Sequence, residues 1–200
     1  MDISVAVIFD LDGTLTVPNL DFDDIRRELG LDRVPVLEAM AKMDAEHRAQ
    51  AAAVLERHEK RAAHESQLQE GARETLAALR GWGIKTAILT RNARRWVDVV
   101  LAKHGLAVDA IRTRDNGAIK PSAEPVLSLC RELKCEPAVS WMVGDYLFDI
   151  ESGRSAGCRT ALLVGAGAKP DFADRADYVL GGLRELLALV CPEETATGRR

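Results

Sequence analysis

The chain has 200 residues, 47% of them apolar and 29% charged. That balance fits one globular domain with room for a small insertion, and it excludes a large multidomain assembly or a globally disordered chain. Twenty-seven basic residues against 31 acidic ones give a formal charge of −4, which leaves no overall positive field to hold a nucleic-acid backbone or an anionic membrane. The first apolar run stops at Asp10, far short of the ~20 residues of a membrane span, and no basic leader precedes it. The sequence therefore reads as a soluble, cytoplasmic protein.

Residues 3–9, Ile-Ser-Val-Ala-Val-Ile-Phe, form a β-branched apolar run of the kind buried on both faces of a parallel sheet. The segment 17–70 holds no such run and reads as a helical insertion. Its spacing predicts short helices over 21–29 and 36–43, then a longer one over 44–68. In that longer helix Ala45, Ala49, Ala52, Leu55 and Ala62 supply a thin apolar stripe, too weak to stand without a packing partner.

Past the insertion, strand and helix alternate. A helix is predicted over 72–80 on Leu76 and Leu79, a strand over 85–89, and a helix over 94–104 on Val97, Val100 and Leu101. A strand over 110–112 and a helix over 124–133 follow, the latter on Val126, Leu127, Cys130 and Leu133. Further strands are predicted over 140–143, 160–164 and 178–180. Gly81, Gly83 and Gly105 stand where helices should stop. Residues 191–200, with Pro192, Gly198 and no apolar period, read as a frayed tail. Cys130, Cys135, Cys158 and Cys191 form no CxxC pair, which argues for reduced thiols rather than a zinc site or a disulfide framework.

Alternating strands and helices define a doubly wound, Rossmann-like α/β sheet, with residues 1–16 and 71–190 as its core domain and 17–70 as an inserted helical module. Right-handed crossovers place every strand's C-terminal end on one edge of the sheet, where a site is expected.

Two acidic motifs fall on that edge. Asp10-Leu11-Asp12-Gly13-Thr14 directly follows the first strand, and Gly144-Asp145-Tyr146-Leu147-Phe148-Asp149 follows the fourth, its acids spaced to share one side of an incipient helix. Two ionised carboxylates ~4 Å apart repel by about 4 kcal/mol at an effective dielectric of 20. Four acids at two strand ends therefore ask for a hard divalent cation, most simply Mg²⁺. Thr90-Arg91-Asn92, after the second strand, offers a hydroxyl and N–H groups to an anion, and Lys120 before Pro121 offers a fixed positive charge. Taken singly, an Asp-Gly turn, an N-capping Thr and a surface Lys are ordinary features; it is their joint placement at strand ends that points to a site.

In these motifs the chain resembles the haloacid dehalogenase-like phosphohydrolases, specifically members similar to phosphoglycolate phosphatases with helical caps. Asp10-Leu11-Asp12-Gly13-Thr14-Leu15, Thr90, Lys120-Pro121, and Gly144-Asp145 with Asp149 stand for the family's four motifs in order. The resemblance implies that Asp10 attacks phosphorus and that Asp12 protonates the leaving alkoxide and later deprotonates water. It also implies Mg²⁺ held by Asp10, the Asp12 backbone carbonyl and Asp145, with Asp149 as a ligand or a support behind one. Thr90 and Lys120 would hold the phosphoryl oxygens, with Arg91 and Asn92 beside them. Three ionised acids and a phosphate dianion make about −5, against +2 from the metal and +1 from Lys120, so neither cation is dispensable.

The insertion 17–70 would be the cap, with Arg48, His58, Arg61 and His64 as candidate contacts to the leaving group against the ordinary expectation of a solvated charged face. Tyr146 and Phe148 read as rim or core packing. The implied partner is a small phosphorylated metabolite, with monomer and homodimer both open. A phosphomutase-type transferase and a non-catalytic binding protein of the same fold remain alternatives. Asp12 argues against a carbon–halogen hydrolase, which does not require a second acid.

Overall fold

The computed structural model describes residues 4–165 and 167–190; the expected tail over 191–200 lies outside the described residues. Six strands, β1 Ala6–Phe9, β2 Lys85–Leu89, β3 Ala110–Arg112, β4 Trp141–Gly144, β5 Arg159–Leu163 and β6 Tyr178–Leu180, form one sheet in the order β3-β2-β1-β4-β5-β6. Every pairing is parallel, with Phe9 opposite Ile88 on one side and Val143 on the other.

All four residues of β1 are fully buried, so the strand is covered on both faces, and its alternation divides the core into two layers. Val7 and Phe9 join the layer of α4 Ala72–Gly81, α5 Arg94–His104 and α8 Glu185–Val190, through Leu76, Leu79, Val97, Val100 and Leu186. Ala6 and Ile8 join the opposite layer, where α6 Glu124–Leu133 supplies Val126, Leu129 and Cys130. Ile150 of α7 Leu147–Ser155 packs under β5 on Leu162. Each fully buried Val, Ile, Leu or Phe contributes about 1.5–3 kcal/mol.

From β1 the sheet grows outward through β2 and β3, and the chain then crosses back to β4 on β1's other flank. The strand order reverses between β1 and β4. Loops leaving the C-terminal ends of those two strands diverge and open a crevice, as in other doubly wound sheets of this order.

The insertion leaves at Val17 and returns at Gln67, two points joined by Val17 N–H donating to the Gln67 carbonyl (2.9 Å) and Gln69 N–H to the Leu15 carbonyl (3.0 Å). It carries α1 Phe22–Glu28, α2 Val36–Ala41 and α3 Ala45–Glu65, which pack around Ile25, Val36, Met40, Ala51 and Leu55. Asp21 and Asp44 cap α1 and α3 by accepting from the N–H groups of Asp24 and His47, each at 2.9 Å.

The stripe expected on α3 is corrected. Its buried face is Ala51, Leu55, His58, Glu59, Ala62 and Ala63, whereas Ala45, Ala49 and Ala52 are exposed. Alanine contributes too little to choose a face, and two polar residues with partners fix the rotation. His58 Nε2 meets Glu28 at 3.0 Å, and Glu59 is gripped by Arg114. Cys130, Cys135 and Cys158 are free and buried. No helix among the described residues is long and apolar enough to cross a membrane.

Candidate active site

Asp10 continues the β1 ladder by one residue: its N–H donates to the Val143 carbonyl at 2.8 Å, so its side chain is delivered at the sheet's C-terminal edge. The chain then turns through Gly13, at φ +94°, where a Cβ would stand 2.2 Å from Asp145 Oδ2. Only glycine accepts both that dihedral and that approach. At the end of β4 a Cβ on Gly144 would fall 2.2 Å from the Asp149 carboxyl carbon. Gly13 thus lets the first acidic loop close on the second, and Gly144 lets Asp149 fold back over the end of its own strand.

The result is a cluster in which carboxylate oxygens of Asp10, Asp145 and Asp149 lie within 4.8 Å of one another. Buried Lys120 enters from the loop between β3 and α6, its Nζ donating to Asp10 Oδ1 and to Asp149 Oδ1, both at 2.6 Å. Asp149 also accepts the Tyr146 N–H at 3.0 Å, which starts α7, and Asp145 accepts the Thr14 hydroxyl at 3.3 Å. A compact set of hard carboxylate oxygens at a place where no Cβ fits suits Mg²⁺ or another oxygen-seeking divalent ion.

Asp12 stands apart from this cluster, tied instead to the loop after β2. Asn92 Nδ2 donates to Asp12 Oδ2 at 3.2 Å, while Asn92 Oδ1 accepts the Ala93 N–H at 2.8 Å and so fixes which way the amide points. Thr90 Oγ1 accepts the Asn92 N–H at 3.1 Å. The two aspartates of the first motif are thereby held by different partners.

Those surroundings set the protonation. Burial pushes the Asp10 carboxyl well above its usual range, against the pull of Lys120 and with the help of the neighbouring acids. Burial also raises Asp12, opposed by the Asn92 hydrogen bond and by Lys120. Asp145 is pushed up to about 6 by burial and by Asp149. Burial alone would lower Lys120, but Asp10 and Asp149 outweigh it and hold the ammonium charged.

The eight residues expected at the site from the four motifs, Asp10, Asp12, Thr90, Arg91, Asn92, Lys120, Asp145 and Asp149, line one cavity of about 680 Å³. Arg91, expected beside the phosphoryl group, turns donors away from it: Nη2 to both Glu38 oxygens (2.8 and 2.6 Å) and Nη1 to the Lys120 carbonyl (2.7 Å). Tyr146 is exposed at the rim, its ring edge-on to Phe148 at 5.2 Å.

The four candidates on the insertion do not line the cavity. Arg48 binds the carbonyls of Met40 and Met43 at the end of α2, His58 meets Glu28, His64 Nδ1 meets the Lys60 carbonyl, and Arg61 is exposed. The insertion instead presents Phe22, Val34, Leu37, Arg26, Arg33 and Glu59. Glu38, Glu59 and Arg114 were not legible in the sequence, because nothing in their spacing announces pairing between residues 53 and 55 positions apart.

The fold is a doubly wound, Rossmann-like α/β sheet with the candidate site at its switch point. The haloacid dehalogenase-like hydrolase family model matches residues 5–157, and the chain belongs to that family. It is 33% identical over 181 residues to an N-acetylmuramic acid 6-phosphate phosphatase of Pseudomonas putida, covering 78% of this chain and 81% of that one. It is 29% identical over 216 residues to a phosphoglycolate phosphatase of Vibrio vulnificus, covering 92% and 95%. A solved haloacid dehalogenase-type phosphatase from Thermococcus onnurineus superposes with a TM-score of 0.70 at 26% identity, covering 94% of this chain and 99% of that one.

Proposed function

We propose that this hydrolase is a Mg²⁺-dependent phosphatase that cleaves a small phosphorylated metabolite through a phosphoryl-aspartate on Asp10. One observation carries the reading: a buried lysine bridges two carboxylates at 2.6 Å each, a third carboxylate joins them, and a fourth is held apart by Asn92, all at the floor of one cavity. The phosphatase names of the relatives point the same way.

In this reading a carboxylate oxygen of Asp10 attacks phosphorus in line with the ester oxygen, forming the Asp10 O–P bond as the P–O ester bond breaks. Asp12, raised by burial and standing outside the salt bridges that hold Asp10 and Asp149 to Lys120, gives its proton to the leaving oxygen and becomes a carboxylate. Asp12 then takes a proton from water as the water oxygen attacks phosphorus, which releases inorganic phosphate and restores Asp10. Thr90 and the Lys120 ammonium hold the phosphoryl oxygens in place while charge redistributes.

Asp10, the Asp12 carbonyl, Asp145 and Asp149 would hold the metal, whose double charge neutralises the phosphoryl group and the clustered acids. Residues 17–70 act as a cap that covers the leaving group and excludes bulk water. The wall it contributes sets Phe22, Val34 and Leu37 beside Arg26, Arg33 and Glu59, which suits a leaving group with both apolar and charged parts. Three buried free thiols support a reducing, cytoplasmic setting.

The test is phosphate release from a panel of monoesters with Mg²⁺, using wild type and Asp10→Asn. Release that vanishes in folded Asp10→Asn supports the reading. No release from any ester refutes hydrolysis, and transfer of the phosphoryl group to another hydroxyl without release assigns a phosphomutase-type reaction.

A further inference from the structure

The residue after Thr90 is gripped from two sides by the inserted helices. From α2, both Glu38 carboxylate oxygens accept from Arg91 Nη2, at 2.8 and 2.6 Å. From α3, Glu59 holds Arg114 through both of its oxygens, one of them at 2.8 Å, and Arg114 Nη1 also donates to the Arg91 carbonyl at 3.1 Å. Arg91 Nη1 then donates to the Lys120 carbonyl at 2.7 Å, and its guanidinium carbon lies 4.7 Å from the centre of the Phe148 ring.

A planar guanidinium held by a carboxylate, a carbonyl and a ring face has its placement fixed on three sides. Thr90 is one peptide bond away, and the carbonyl that Arg91 holds belongs to the same lysine whose Nζ meets Asp10. Both groups assigned to the phosphoryl oxygens thus inherit the position of Arg91.

We infer that Glu38 is a positioning residue of the phosphoryl site: acting through Arg91, it couples the seating of α2 to the placement of Thr90 and Lys120. The inference rests on the reading of Thr90 and Lys120 as phosphoryl-holding groups. Coupling of this kind is reciprocal, so an anion bound at Lys120 steadies α2 to the same extent that α2 favours the anion.

The sign of one substitution decides the matter. A carboxylate acting directly on an anion site repels the anion, and one competing with phosphate for Arg91 also weakens binding. In either case Glu38→Gln would tighten phosphate. A positioning carboxylate does the opposite: Glu38→Gln leaves Arg91 one neutral acceptor in place of two anionic oxygens, which loosens the grip and weakens phosphate.

The experiment measures inorganic phosphate binding by calorimetry with Mg²⁺ present, together with hydrogen exchange over 36–41, in wild type, Glu38→Gln and Glu56→Gln. Glu56 is the control, since its 2.9 Å pair with Arg95 also joins an inserted helix to the core but does not reach residue 91. Glu38→Gln should weaken phosphate on the order of tenfold and abolish the slowing of exchange that phosphate produces in wild type, while Glu56→Gln changes neither.

Unchanged or tighter phosphate binding in Glu38→Gln overturns the inference. So does an equal loss in Glu56→Gln, or phosphate that leaves exchange over 36–41 unaltered in wild type. The readouts do not depend on turnover: failure to hydrolyse any ester would strike the proposed activity alone, and intact phosphate affinity in an active Glu38→Gln would strike the positioning role alone.

Discussion

Asp145→Asn isolates the electrostatic load that the site places on the fold. Folding takes the Asp145 carboxyl from about 3.8 to about 6, chiefly by burial and then by Asp149. Two pKa units at about 1.4 kcal/mol each make close to 3 kcal/mol, and sharing the proton with neighbouring acids leaves an effect on the order of 2 kcal/mol.

An acid raised in this way keeps in the folded state a proton that the unfolded chain releases. Its burden is therefore absent below the unfolded value, grows across the window between about 3.8 and about 6, and is complete above it. Asparagine carries no such burden, and its Oδ1 can still accept the Thr14 hydroxyl.

Urea unfolding in EDTA should show the variant equal to wild type near about pH 3.5 and more stable by on the order of 2 kcal/mol at about pH 7. Saturating Mg²⁺ should erase that advantage by stabilising wild type selectively, with about 2.7 kcal/mol gained at a hundredfold excess over Kd. A stability difference that is flat with pH, or a wild type that is the more stable form in EDTA at neutral pH, would refute the reasoning.

Lys120→Met leaves Asp10 and Asp149 without their buried partner and should cost about 3–5 kcal/mol in metal-free protein, read by the same unfolding assay, with turnover lost as well. Gly13→Ala forces a Cβ to within 2.2 Å of Asp145 Oδ2 at a positive φ; calorimetry should show loss of Mg²⁺ binding while circular dichroism still reports a folded chain. Asp12→Asn removes both the leaving-group proton and the base that activates water, so steady-state kcat should fall by about 10²–10⁴-fold on alkyl phosphates and p-nitrophenyl phosphate alike, while rapid quenching should show the first release of p-nitrophenol, which needs no proton, far less slowed.

The sheet was legible because its strands are short β-branched runs that end abruptly in chemistry-bearing residues. The Val5 to Phe9 run stopping at Asp10 and the 140–143 run stopping at Gly144-Asp145 locate the sheet's C-terminal edge. Strand ends shift only slightly, as when β4 extends through Gly144, because a ladder ends where its last partner does. That the four motifs gather around one cavity was equally legible, since right-handed crossovers bring the strand ends that carry them to one edge of the sheet.

Pairing across the insertion was not. Nothing local distinguishes Glu38 or Glu59 from solvated glutamates on a charged helix. The alanine-rich stripe of α3 misjudged the rotation because its buried face is fixed by the long-range partners of His58 and Glu59. Arg48 reads in the sequence as a candidate contact to the leaving group, yet its work is local, on the carbonyls of Met40 and Met43. Asn92 could be placed at the site from sequence, but its grip on Asp12 depends on a contact 80 residues away in the chain.

The central claim is that Asp10 is the atom donor in the bond to phosphorus. Acid quenching during steady turnover of a reactive monoester with Mg²⁺, followed by peptide mass spectrometry, tests it most directly. The account predicts a phosphoryl group on the peptide carrying Asp10, absent in Asp10→Asn; turnover with that peptide unmodified, or the phosphoryl group on another residue, would contradict it.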